Sequence, residues 1–144
     1  MPKAFAITDD MVDAVILSES NGKPDAVGDR KGANFRAAGL GQLWGIAWKD
    51  VQAKRPELKS YDYDKFKFNP NVNRQFTKAY LEIVASGLPA DKKDFRTVVA
   101  GYKLGPTALR KSGFDLSKTP GLSEKVSRAE GFLSKRQMPD KRVF

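Results

Sequence analysis

The chain has 144 residues, enough for one domain with a real core, and 26 Lys and Arg against 17 Asp and Glu give it a net charge of +9. It contains neither cysteine nor histidine, which excludes disulfides, thiolate chemistry, serine–histidine triads and the usual zinc sites, and leaves acid–base work to Asp, Glu, Lys or Tyr. The surplus charge implies attraction to a polyanion, either nucleic acid or an anionic bacterial envelope.

No segment is long and apolar enough to span a membrane, and the opening M-P-K-A-F-A-I-T-D-D is too short and too quickly acidic for a secretory signal. The first helix is expected to be capped by Thr8 or Asp9 and to end near Ser20, where Asn21-Gly22 stops it. Val12, Val15, Ile16 and Glu19 fall at i, i+3, i+4 and i+7, so Glu19 shares the apolar stripe. It also lies in the last turn, at the negative end of the helix dipole. Burial and dipole both disfavour its ionised form, which suits a general acid; equally, it could be a half-buried glutamate paired with a lysine or arginine.

Pro24 to Ala37 reads as a loop, with Gly28, Gly32 and Asn34 marking turns. A second helix after Gly39-Leu40-Gly41 should carry Leu43, Trp44, Ala47, Trp48 and Val51 inward, the tryptophans being core rather than a sugar platform. Ser60 to Phe68 alternates aromatic and polar residues, as a short strand or an extended connection would. Asn69-Pro70 opens a third helix with Val72, Phe76, Ala79, Tyr80, Ile83 and Val84 on its core face, closed by Gly87. Asp91 is the expected cap of a fourth, with Phe95, Val98, Val99 and Tyr102 as its stripe. A short basic helix follows Gly105-Pro106, then a loop from Gly113 to Gly121. An amphipathic helix over about 121–136 and a loose tail over 138–144 complete a single domain, 1–144. The fold class expected is mainly α, with room for one short β element near residues 59–68.

Three short pieces carry chemistry: Glu19-Ser20, Gly39-Leu40-Gly41-Gln42 and Gly101-Tyr102-Lys103-Leu104-Gly105. The Gln42 amide donates and accepts at once, as a sugar hydroxyl or acetamido group requires, and the glycines let backbone come close to a ligand. The Tyr102 hydroxyl must find a partner inside, and Glu19 would be one.

These pieces, in this order, resemble the lytic transglycosylases of the Slt type and their goose-type lysozyme relatives. That family's pattern is Glu-Ser, then Gly-Leu-Met-Gln, then Ala-Tyr-Asn-x-Gly. Here Gly41 replaces the methionine and Lys103 the asparagine, while Asn69-Pro70, Asn73 and Tyr80-Leu81 resemble the family's N-P-x-x-N and Y-L helix. The likeness runs from about Val12 to Lys111. It implies a lysozyme-like helical domain, no cofactor and no metal, and peptidoglycan glycan strands as partner. It further implies that Glu19 is the single catalytic carboxyl, acid and then base, cleaving the β-1,4 bond between N-acetylmuramic acid and N-acetylglucosamine with 1,6-anhydro product ends. Ser20, Gly39, Leu40, Gln42, Tyr102 and Lys103 would orient the acid or hold the sugars. Lysine only donates where asparagine does both, and a solvent-facing Lys103, suited to the helix dipole, is the reading favoured here. A hydrolytic muramidase would instead need a second carboxylate roughly 6.5–9.5 Å away; Asp25 and Asp29 are nearest in sequence.

The rival from another class is a non-catalytic basic helical protein that binds nucleic acid, but no helix interleaves basic residues with exposed aromatics, so nucleic acid is not the expected partner. A wall-cleaving enzyme with no signal peptide would need another machine to reach its substrate. The expectation is therefore a phage origin, as a virion-associated enzyme or a holin-delivered endolysin, with secretion-machine components as the other possible partners.

Overall fold

The computed structural model describes residues 5–28 and 37–137. Among these, seven α-helices follow in order: α1 Asp9–Ser20, α2 Gly45–Lys54, α3 Tyr63–Phe66, α4 Pro70–Ser86, α5 Phe95–Leu104, α6 Pro106–Lys111 and α7 Leu122–Gln137. The expected tail over 138–144 and most of the loop after Gly28 lie outside the described residues.

Local chemistry sets the helix bounds. Thr8 accepts from the Met11 amide at 3.2 Å to cap α1, and Asn21 ends the helix in the left-handed region at φ 57°. Asn69 accepts from the Val72 amide at 3.0 Å with Pro70 in the first turn of α4, as the sequence predicts. The cap of α5 is Asp94 rather than Asp91: it accepts from the Thr97 amide at 2.7 Å, while Asp91 lies in a separate 3-10 turn, Ala90–Lys92. Trp44 likewise precedes α2 as its N-terminal flank instead of lying inside the helix.

α4 is the axis of the molecule. Ten of its seventeen residues are buried, around more than one face, including the polar Asn73 and Thr77. α2 packs on one flank, where Trp48 stacks on Phe76 with ring centroids 3.6 Å apart, and α5 packs on the other. α7 covers α1 and α5 through Leu122, Val126 and Ala129. Asp13 of α1 joins three helices, bonded to Arg74 of α4 at 2.5 Å and Arg136 of α7 at 2.7 Å.

The possible strand near residues 59–68 is not formed. Pro56–Leu58 is a 3-10 turn, and Tyr63–Phe66 is helical, capped by Asp62 accepting from the Lys65 amide. The Trp48 indole donates to the Tyr61 carbonyl at 2.7 Å, which folds the aromatics onto the Trp48–Phe76 stack as a compact turn. The β character lies elsewhere. Val27 with Ala38, and Ala38 with Leu43, form antiparallel bridges, and Gly28 donates to Ala37 and Gly39 to Ala26, each at 2.9 Å.

Candidate active site

The C-terminal turns of α1 and α5 converge, and they bring Glu19 and Lys103 together across 84 residues of sequence. Lys103 Nζ donates to Glu19 Oε1, and both side chains are nearly enclosed, at 12% and 13% exposure. Lys103 therefore does not point to solvent as the helix-end argument favoured. α1 and α5 end side by side, and the carboxyl lies within reach of the lysine's four-carbon stem. Burial nevertheless governs the acid: it raises the Glu19 carboxyl above the ordinary range, while the Lys103 charge and hydrogen bond, and then the more distant Lys125 charge, pull it partly back. Glu19 thus satisfies both readings open at the sequence level, being paired and still displaced toward the neutral acid.

The Gly39–Gln42 turn lies beside this pair and is built from behind by α4. Asn73, fully buried, accepts from the Gly41 amide at 2.9 Å and donates to the Ala38 and Lys67 carbonyls at 3.2 and 2.8 Å. Thr77, one helical turn on, donates to the Asn73 carbonyl at 2.8 Å. A side chain at Gly39 would stand 2.2 Å from the Lys67 carbonyl, and one at Gly41 2.0 Å from Thr77 Oγ1 and 2.6 Å from the Tyr102 hydroxyl. Gly41, which departs from the family pattern, is the space that Tyr102 and Thr77 occupy.

The Tyr102 hydroxyl donates to the Gly41 carbonyl at 2.5 Å. Its partner is therefore the turn rather than Glu19, the partner the sequence suggested; Glu19 acts on it through charge, the second cause after burial of a phenol held well above its usual range. Gln42 sits in the left-handed region at φ 50°, and its Nε2 donates to the Ala26 and Gly39 carbonyls, both at 3.0 Å. The donor half of its amide is thus used internally, which leaves Oε1 as its accepting group.

A cleft of about 370 Å³ opens over Glu19, lined by Gln42, Trp44, Tyr102 and Lys103 on one side and Thr119, Pro120 and Lys125 on the other. It continues past Trp44 and Leu104 into a second depression and then a third between Ile46, Tyr80 and Pro106. Among the described residues Glu19 is the acid that lines the first depression; Asp25 is exposed and does not line it, and Asp29 lies outside the described residues.

Of the residues singled out from sequence, Glu19, Gln42, Tyr102 and Lys103 meet in this cleft. Ser20 does not line it: its hydroxyl donates to the Ile16 carbonyl and accepts from the Gly22 amide, which finishes α1. Gly39 and Leu40 shape the turn. Trp44, expected in the core, is half-buried and lines the cleft, because it precedes α2 and so escapes the helical stripe. Lys125 and Asn73 were not proposed as site residues. Lys125 lies on α7 in an ordinary solvated pattern; Asn73 carried a signal in N-P-x-x-N, an amide one turn inside an apolar helix.

The family model described as Transglycosylase SLT domain matches residues 2–119. Comparison with curated proteins and with solved structures returns no match.

Proposed function

The chain belongs to the transglycosylase SLT domain family, a peptidoglycan lytic transglycosylase class whose lysozyme-like helical fold agrees with the architecture above, and from that premise we propose that Glu19 is its acid and then its base. The observation that carries the reading is the placement of Glu19: a carboxyl at a helix C-terminus, burial-shifted toward its neutral form, lining a cleft that adjoins a further depression past Trp44 and Leu104.

In the first step protonated Glu19 donates to the oxygen linking N-acetylmuramic acid to N-acetylglucosamine, and the C1–O bond breaks. The acetamido group of the muramoyl sugar supplies the opposing electron density, so no second protein carboxylate is used. In the second, the Glu19 carboxylate removes the proton from the 6-hydroxyl, whose oxygen bonds to C1 as the acetamido oxygen leaves it, and the anhydro ring closes. The proton lost by Glu19 in the first step is regained in the second. Gln42 Oε1 accepts from a sugar donor, Trp44 lines the cleft beside it, and Tyr102, spent on the Gly41 carbonyl, fixes the turn instead of touching the acid.

The test is cleavage of purified sacculi with product masses. Wild type releases fragments one water lighter than reducing-end sugars. Glu19→Gln releases nothing while keeping its helical circular dichroism. Reducing ends from wild type would make the enzyme a muramidase, and cleavage by Glu19→Gln would remove the residue from its role.

A further inference from the structure

Lys103 brings a nearly enclosed cation onto the acid, where the family pattern has a neutral amide. With Glu19 ionised the pair is neutral. With Glu19 protonated, as the first step requires, Lys103 is left at 12% exposure without its counter-charge, a cost that pulls against the burial that raises the acid. Among the described residues, the charged and titratable groups facing Glu19 offer no replacement: Lys103 and Tyr102 come from α5 and Lys125 from α7. The acids on α1 that are paired to α4, Asp9 and Asp13, lie toward the other end of the helix, on Lys78 and Arg74. Among the described lining residues of the cleft, two lysines face one carboxylate. Among the described residues no second negative charge is at hand, and an anionic ligand brings one.

We propose that a carboxylate of the bound glycan takes the place of Glu19 on Lys103, so that binding an anionic strand itself drives the proton onto Glu19. The exchange conserves charge. The ligand carboxylate enters, one proton passes from solvent to Glu19 Oε, and Lys103 remains an ammonium throughout. Peptidoglycan offers this carboxylate from two sources, the lactyl group of muramic acid where the stem peptide has been removed, and the free carboxyls of the stem peptide where it is present. Both hang from the ring whose glycosidic bond breaks. The inference rests on the assignment of Glu19 as acid. It makes the enzyme selective for charged glycan over its neutral equivalent.

Three glycans separate the sources: peptide-free chains, the same chains with the lactyl carboxylates converted to methylamides, and chains bearing stem peptides. Wild type at neutral pH is expected to cleave one of the two anionic substrates faster than the methylamide by at least about tenfold, the scale of one charge-assisted hydrogen bond. The faster arm identifies the source. Lys103→Asn, which installs the family's residue, is expected to cleave the methylamide and the anionic chains alike, and Lys103→Gln to behave likewise. Equal wild-type rates on all three, or a preference that survives both substitutions, overturns the proposal. Calorimetry with the peptide-free anhydro-disaccharide, in two buffers of different ionisation enthalpy, supplies a readout independent of turnover. The same measurement is made with the stem-peptide-bearing disaccharide; wild type is expected to take up a proton with at least one of the two, while Lys103→Asn and Glu19→Gln take up none, and uptake near zero in wild type with both is the contrary result. Should wild type cleave none of the glycans, the assignment of the reaction fails, while the proton count still reports on the exchange.

Discussion

Asn73→Ala tests the claim that α4 builds the site from behind. The substitution removes a side chain that is fully buried and makes four bonds, the fourth accepted from Thr77 Oγ1, which keeps the Asn73 carbonyl. The Ala38 carbonyl keeps the Leu43 amide at 3.0 Å, so its loss is one ordinary hydrogen bond. The Gly41 amide and the Lys67 carbonyl lose the partner named here. Two orphaned groups at about 1–3 kcal/mol each, with about 1 kcal/mol for the third bond, give a cost of roughly 4 kcal/mol after some relaxation. That is a large part of the ~5–15 kcal/mol that holds a domain of this kind together. With a urea m-value of about 2 kcal/mol/M, the midpoint should fall by roughly 2 M, read by circular dichroism at helical wavelengths. Asn73→Asp sharpens the test. Its carboxylate still accepts from Gly41 but faces the Ala38 and Lys67 carbonyls, so its folded-state pKa must rise. A raised carboxyl pKa means stability lost as pH climbs past the unfolded value, hence Asn73→Asp should regain stability on acidification toward about pH 4. A loss below about 1 kcal/mol for Asn73→Ala, or an Asn73→Asp variant indifferent to pH, would refute the reasoning.

Gly41→Ala should be unfolded by lower urea, at a cost of about 2–3 kcal/mol, since its methyl would stand 2.0 Å from Thr77 Oγ1 and 2.6 Å from the Tyr102 hydroxyl; a midpoint equal to wild type contradicts the close approach. Because burial holds Glu19 above its unfolded pKa, the folded protein binds the extra proton, and Glu19 makes stability fall as pH rises from the unfolded value of 4.5 through the folded one. Urea titrations across that window should therefore show a shallower decline for Glu19→Gln, and parallel curves would deny the shift. Asp13→Ala, which leaves Arg74 to Asp9 and Arg136 to Asp10 at a site 25% exposed, should cost about 1 kcal/mol, and less in high salt. A salt-independent loss would mean that packing, not charge, is what Asp13 supplies.

How far the sequence could be read follows the range of the forces involved. Helices α1, α4 and α7 were legible because their stripes and caps are local: Thr8, Asn69-Pro70 and the run Val126, Ala129, Leu133 speak within four residues. Ser60–Phe68 misled because alternation of aromatic and polar residues fits a strand, yet Tyr61, Tyr63 and Phe66 are gathered by Trp48 and Phe76 from other helices. Asp91 and Asp94 compete as caps three residues apart, and only the path of the chain into α5 chooses between them. Glu19 stood out because an acid on an apolar stripe is a local anomaly. Lys103 did not, since a cation in a last turn is ordinary, and its pairing depends on two helix ends meeting in space. Gly41 was visible only as a departure from a pattern; the Tyr102 hydroxyl that fills its place gives the departure a reason.

The anchoring of the Gly39–Gln42 turn on Asn73 also bears on how the enzyme lives and fails. α4 is buried around more than one face, so its amides should open only when the whole domain does, and a turn tied to it inherits that threshold. The cleft then has no separate melting of its own on this wall. Hydrogen exchange at Gly41, whose amide ends on Asn73, should run at the pace of the slowest amides of α4 rather than of a surface loop. On this wall a molecule is accordingly either whole or unfolded, and the integrity of the turn in a population is set by global stability.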